Sequence, residues 1–311
     1  MGLIEQAAKR LEELQRAGAE IPESLAGPQR EAGRESPPQR DVRRELPPAP
    51  EIRDIAPRPR VVHRRHSIDL ERLDATGFVT PQAPRSRIAE EFRAIKRPLL
   101  SNATPGKATS VANGNRIMVT SSIPGEGKTF TSVNLAMSIA MEVDRRVLLV
   151  DADVARPSLP RTLGIQPARG LMDILTGQCR DVGDVILRTD VEKLSFLPAG
   201  TMHAGASELL ASDAMTRLVA ELGERYADRI VLFDSPPLLA ANEPAALATH
   251  MGQIVFVVYA ERTLQADVHR ALATIEACPV KLLLLNAAST SSQGAYGYGY
   301  GQRYGYGTDR A

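Results

Sequence analysis

Nowhere is the chain continuously apolar for the roughly 18 residues that a bilayer-crossing helix needs, and its N-terminus has no apolar signal-peptide core. Gln6 stands where a myristoylation signal wants Ser or Thr. The protein is therefore expected to be soluble and cytoplasmic. There are only two cysteines, Cys179 and Cys278, far apart and without metal-ligand spacing. This excludes a disulfide framework or zinc site and fits a reducing compartment. A net charge of +1 gives no reason to expect nucleic acid as a partner. What remains is 311 residues, 43% hydrophobic and 24% charged, enough for one sizeable α/β domain with extensions.

The extensions are visible in composition. Over residues 1–17, Leu3, Ile4, Ala7, Ala8, Leu11 and Leu14 recur at helical spacing and predict a short amphipathic helix that docks on something. Eleven of the 22 prolines precede residue 85. The Pro/Arg-rich stretch 18–67 cannot bury enough apolar surface to offset its ordering entropy, so it reads as a flexible linker. It ends in a basic run, Arg58, Arg60, Arg64 and Arg65 with His63 and His66. The run is either solvated or in contact with an acidic membrane surface or partner. Order is expected over 68–287, with a helix from Arg87 to Leu100 carrying Ile88, Phe92, Ile95 and Leu99. The Gly/Tyr-rich tail, 288–311, holds five of the seven tyrosines and is expected to be mobile.

Within 68–287, short apolar runs alternate with helical stretches. The runs are Arg116–Thr120, Arg146–Val150, Lys193–Leu197, Arg229–Phe233, Gln253–Tyr259 and Lys281–Leu285. Near-continuous apolar strands separated by helices predict a doubly wound, mostly parallel sheet covered on both faces. Between the first run and a helix over Phe130–Met141 lies Ser121-Ser122-Ile123-Pro124-Gly125-Glu126-Gly127-Lys128-Thr129. This is a phosphate-binding loop, of the P-loop NTPase type, with Ser122 in place of the first glycine. Small residues let successive backbone N–H groups point at phosphate oxygens, and the following helix adds its positive end. Ser122, Pro124, Gly125, Glu126, Gly127, Lys128, Thr129 and Phe130 are the expected nucleotide-binding residues. Lys128 is to reach the β/γ-phosphates and Thr129 to ligate Mg²⁺.

Two more strand ends carry chemistry. Val147–Val150 leads into Asp151-Ala152-Asp153, and Ile230–Phe233 into Asp234-Ser235-Pro236-Pro237. In a doubly wound sheet these carboxylates fall beside the phosphate loop. Phosphoryl transfer needs the metal held, charge neutralised and a nucleophile positioned. Lys128, Asp151 and Asp153 are the expected catalytic residues, one aspartate accepting the nucleophile's proton. Thr129, Asp151 and Asp234 are the expected Mg²⁺ ligands.

Taken with the tyrosine tail, these motifs resemble the bacterial tyrosine kinases, over about residues 68–311. More narrowly, Ile68–Leu73 and Glu90–Leu100 resemble the exosortase-associated tyrosine autokinases that serve exopolysaccharide systems. The resemblance implies ATP and Mg²⁺ as cofactors. It implies Tyr296, Tyr298, Tyr300, Tyr304 and Tyr306 as phosphoacceptors, modified between subunits of a ring-like homo-oligomer. Glu90, Arg93 and Lys96 occupy the family's Glu-x-x-Arg-x-x-Arg subunit-contact motif, and at i, i+3 and i+6 are expected broadly on one helical face. Lys96 replaces its last arginine and cannot offer a bidentate fork. Ala155 stands where relatives carry arginine, and Arg156 follows. The implied partner is a membrane polysaccharide chain-length or co-polymerase protein, which would hold the chain at the inner face of the membrane. Two other readings share the loop: a chromosome-partition or septum-site ATPase, and a nucleotide-gated adaptor without kinase activity. The first carries an early loop lysine where this chain has Ile123.

Overall fold

A computed structural model of the protein describes residues 65–288. The segment 1–17, nearly all of the linker and the tyrosines of the tail lie outside the described residues. Seven strands make one sheet: β1 (Arg116–Ser121), β2 (Arg146–Asp151), β3 (Leu187–Arg188), β4 (Leu194–Leu197), β5 (Arg229–Asp234), β6 (Gln253–Tyr259) and β7 (Val280–Asn286). Their order is β3-β4-β2-β5-β1-β6-β7. Only the β3–β4 pair is antiparallel. The mostly parallel sheet is as expected; β3 went unread because two residues carry no periodicity.

Side chains on the central strands alternate between two cores, as a period of two requires. Ile117, Val119, Leu149, Leu232 and Val255 face one core. There they meet α2 (Arg87–Asn102) and α3 (Lys128–Ala140) through Phe92, Leu99, Val133 and Met137. Met118, Leu148, Phe233, Ile254 and Phe256 face the other, against Met215, Leu218 and Leu222 of α7 (Asp213–Arg225). Shorter helices complete the layers: α1 (Leu70–Ala75), α4 (Leu159–Leu163), α5 (Leu171–Leu175), α6 (Ala206–Leu210), α8 (Glu243–Ala248) and α9 (Gln265–Ala273). With both faces covered, ligand access is left to the strand ends, and the carboxyl ends of β1, β2 and β5 lie side by side.

Glu90, Arg93 and Lys96 do not share a face. Arg93 pairs with Glu90 at the surface and donates to the Pro84 carbonyl at 3.1 Å. Lys96 is buried; its Nζ lies 2.6 Å from the Ser138 carbonyl and 2.6 Å from a Glu142 carboxylate oxygen, tying α2 to α3. At 3.6 residues per turn, six residues of separation turn Lys96 about 120° away from Glu90. Glu90 and Arg93 thus lie together at the surface, and Lys96 lies apart from them. Lys96→Ala is expected to cost about 1–3 kcal/mol in a denaturant melt, because it unmakes a charged, buried hydrogen bond. Arg93→Ala should cost less than about 1 kcal/mol, its pair being exposed. Equal losses would contradict this division.

Candidate active site

The phosphate loop joins β1 to α3 and takes its shape from two glycines in left-handed backbone, Gly125 at φ 84° and Gly127 at φ 95°. Gly127 is also the N-cap of α3, and no side chain caps that helix. The first-turn N–H groups are therefore left for another acceptor, which is what a phosphate supplies. Ser122 Oγ is buried without a hydrogen-bond partner among the described residues. The Glu126 side chain turns away from this cradle. Its carboxylate accepts from the Ile123 amide at 2.7 Å and from the Thr263 hydroxyl. Its carbonyl accepts from Asn286 Nδ2 at 2.9 Å. The loop is thus braced by groups from beyond β6 and from the end of β7. The Phe130 ring packs on Phe78 and Phe92, with centroids 4.9 and 6.3 Å away, so only its backbone is available to a phosphate.

Asp234, the last residue of β5, accepts from Thr129 Oγ1 at 2.8 Å and Ser132 Oγ at 2.9 Å. Thr129 Oγ1 also lies 2.9 Å from Ser158 Oγ. Asp151, the last residue of β2, pairs in register with Asp234. It is fully buried, and neither carboxylate oxygen completes a hydrogen bond among the described residues. Asp153 is half-buried and accepts from the Arg156 amide at 3.1 Å. Lys128 is buried in the field of Asp234, Asp153 and Glu126. One site therefore brings together Lys128, Thr129, Asp151, Asp153 and Asp234.

An AAA-domain family profile matches residues 114–280, which span the loop and all three aspartates. The chain belongs to the AAA-domain family. It is 33% identical over 198 residues to the tyrosine-protein kinase Wzc of Salmonella typhimurium, 63% of this chain and 26% of that protein. It is 29% identical over 216 residues to the tyrosine-protein kinase YwqD of Bacillus subtilis, 69% of this chain and 87% of that protein. Among solved structures it resembles the kinase domain of the Escherichia coli tyrosine kinase ETK, at TM-score 0.57 and 26% identity. That likeness covers 76% of this chain and 94% of that domain. The chain spans about a quarter of the length of Wzc.

The electrostatics of this AAA-domain site are those of a place awaiting positive charge. Burial raises the Asp151 pKa well above the usual carboxylate range, and Asp234 and Asp153 add to the rise. Burial pushes Asp234 up to about 6, although the hydroxyls of Thr129 and Ser132 and the charge of Lys128 pull it down. Asp153 is raised by burial too, with the Arg156 amide and Lys128 opposing. Burial lowers the Lys128 pKa while Asp234, Asp153 and Glu126 counteract. Two orphaned carboxylate oxygens beside a second buried carboxylate fit a hard cation. Among the described residues no three acidic, His or Cys side chains form a ready-made metal cage. That suits Mg²⁺, which takes one or two protein oxygens and completes its shell with water and phosphate.

Sequence reasoning missed four residues here: Ser132, Ser158, Thr263 and Asn286. Ser132 follows Thr129 by one helical turn, and Asn286 ends β7 as the aspartates end β2 and β5; both were findable. Thr263 carries no such signal.

The raised pKa values predict a pH dependence for the nucleotide-free protein. Between about 4 and 6 the folded chain holds more protons on Asp234 than the unfolded chain does. This contribution to stability therefore grows as pH falls through 6 and is lost as pH rises through it. Asp151 extends the trend upward. Asp173 and Asp181, which are lowered, act only below the usual carboxylate range, while His250, lowered by burial and by Arg116, opposes the trend in part as pH falls through its range. Melting is expected about 2–5 °C higher at pH 5.5 than at pH 7.5, and Asp234→Asn should flatten the difference. A higher melting temperature at pH 7.5 would refute this assignment.

Proposed function

We propose that the chain is an ATP- and Mg²⁺-dependent protein-tyrosine autokinase whose acceptors are Tyr296, Tyr298, Tyr300, Tyr304 and Tyr306 of its own tail. The observation that carries this reading is the convergence of Lys128, Thr129, Asp151, Asp153 and Asp234 around an uncapped helix N-terminus. The relatives named tyrosine-protein kinases support it. The tail supplies hydroxyls close by in the chain: Asn286, which braces the loop, is two residues from Ala288, where the tail begins.

Each group has a task. The amides of the loop and α3 bind and orient the phosphates, and Lys128 neutralises the charge that spreads over them during transfer. Thr129, Asp151 and Asp234 would hold Mg²⁺, which supplies further neutralisation of phosphate charge when bound. Asp151 or Asp153, each with its pKa raised by burial, accepts the proton of the tyrosine hydroxyl. Proton transfer to a carboxylate of raised pKa costs less than to an ordinary one. Modification runs between copies of a ring-like homo-oligomer, with Glu90 and Arg93 on the exposed contact face. Several phosphates of nearly two charges each on one tail weaken that assembly. Among the described residues no helix is long and apolar enough to cross a membrane. We place the chain in the cytoplasm at the inner face of the membrane, held by a polysaccharide co-polymerase partner, where its phosphorylation state regulates exopolysaccharide synthesis.

The test is incubation of purified protein with ATP and Mg²⁺, then phosphosite mapping by mass spectrometry beside a Lys128→Ala control. Phosphotyrosine in residues 296–306 that depends on Lys128 is the expected result. ATP binding without it leaves a nucleotide-gated adaptor and sinks the kinase assignment.

A further inference from the structure

The opposite edge of the sheet carries a second concavity. A pocket of about 320 Å³ is lined by Arg65, Arg146, Arg188, Arg229, Lys193 and Ser195, among others. Arg146 and Arg229 open β2 and β5, the strands that Asp151 and Asp234 close. A six-residue strand is roughly 17 Å long, so this pocket is separate from the phosphoryl site. Its cations come from four parts of the fold: the segment before α1, the start of β2, the β3–β4 hairpin and the start of β5.

These charges are poorly matched within the protein. Glu192 is the only acidic residue among the lining residues. Arg146 and Arg229 share Asp228 at 3.9 and 3.4 Å. The guanidinium of Arg229 lies over the Tyr226 ring, 4.6 Å from its centroid, and its Nε has only the 3.4 Å ion pair with Asp228 among the described residues. The side chains of Arg65 and Arg188 make no hydrogen bond or ion pair among the described residues. Lys193 donates to the Glu142 carbonyl at 2.9 Å. Four converging guanidinium groups with one shared carboxylate, Asp228, repel one another. A phosphate oxyanion relieves that repulsion, and arginine's planar fork matches its geometry where lysine's point charge does not. The volume suits one phosphate group with a small organic substituent rather than a polymer backbone, which needs an extended basic stripe.

We propose that this pocket is a second anion site that takes a phosphate group, as a mono- or diester, independently of the nucleotide loop. The source is either a soluble phosphorylated molecule or a phospholipid headgroup, which present the same oxyanion. Pyrophosphate titrated calorimetrically into full-length Lys128→Ala protein isolates the pocket from the loop. Adding Arg65→Gln and Arg188→Gln, both surface changes, should weaken binding by about tenfold or more. Adding Arg217→Gln and Arg270→Gln, two exposed arginines elsewhere, should leave it unchanged. Flotation with phosphatidylglycerol–phosphatidylcholine vesicles provides the second arm. Pocket-dependent vesicle binding without pyrophosphate binding assigns the lipid source, and the reverse assigns the soluble one. If neither probe binds, or both bind all variants alike, the proposal is overturned.

Discussion

Replacing Gly127 by alanine is expected to abolish nucleotide binding while leaving the chain folded. A β-carbon built there would stand 2.1 Å from Asn286 Nδ2, the group that donates to the Glu126 carbonyl. The backbone at φ 95° adds strain of about 1–3 kcal/mol for any side chain. The chain can relieve both only by moving the loop, so the amides that face the phosphates lose their common focus. A misplacement near 1 Å in a preorganised site costs on the order of 100-fold, and nucleotide affinity should fall by at least that much. Gly125→Ala is the comparison: its φ is 84°, but nothing lies within 4 Å of the added carbon, so its loss should be smaller. Asn286→Ala in the Gly127→Ala background removes the obstructing amide and should recover part of the affinity. Titration of a fluorescent ATP analogue reads all three. Equal affinities for Gly127→Ala and the parent would overturn the bracing role given to Asn286.

How far the sequence discloses such features depends on their range. The loop, α3 and the strand ends are local: Ile117, Met118 and Val119 make an apolar run followed within a few residues by Gly-x-Gly-Lys-Thr, so strand, turn and helix follow from propensity and pattern. The positions of Asp151 and Asp234 follow from one topological rule for parallel sheets. The Glu126 side chain was not legible. Its carboxylate accepts from Thr263, 137 residues away, and the residue's carbonyl from Asn286, 160 residues away, and no pattern within the loop distinguishes a carboxylate facing phosphate from one holding backbone. Lys96 was misread because a motif spacing fixes an angle, whereas burial depends on which helix packs alongside. Nor does any contiguous motif announce the arginine pocket, since its members come from four separate segments.

The aspartate that ends β2 is the place where stability and function pull apart. Both Asp151 oxygens are buried without a completed hydrogen bond, while Asp234 and Asp153 add like charge. The backbone amides of Leu159 and Asp153 that act on this carboxylate can serve an Asn side-chain oxygen as well, and an amide of the same shape avoids the like-charge repulsion and the burial of charge. Asp151→Asn is therefore expected to raise the melting temperature of the nucleotide-free protein at pH 7.5 by several degrees, for a gain of about 1–2 kcal/mol. The same change removes a proton acceptor and an oxygen ligand for the cation. Tail phosphorylation should fall by a factor of about 10²–10⁴, the contribution of a positioned general base. Thermal melts and single-turnover phosphorylation on one preparation give both numbers. A variant that is less stable and fully active would mark Asp151 as structural. A variant that is more stable and nearly inactive is the signature of a residue kept for chemistry at the expense of the fold.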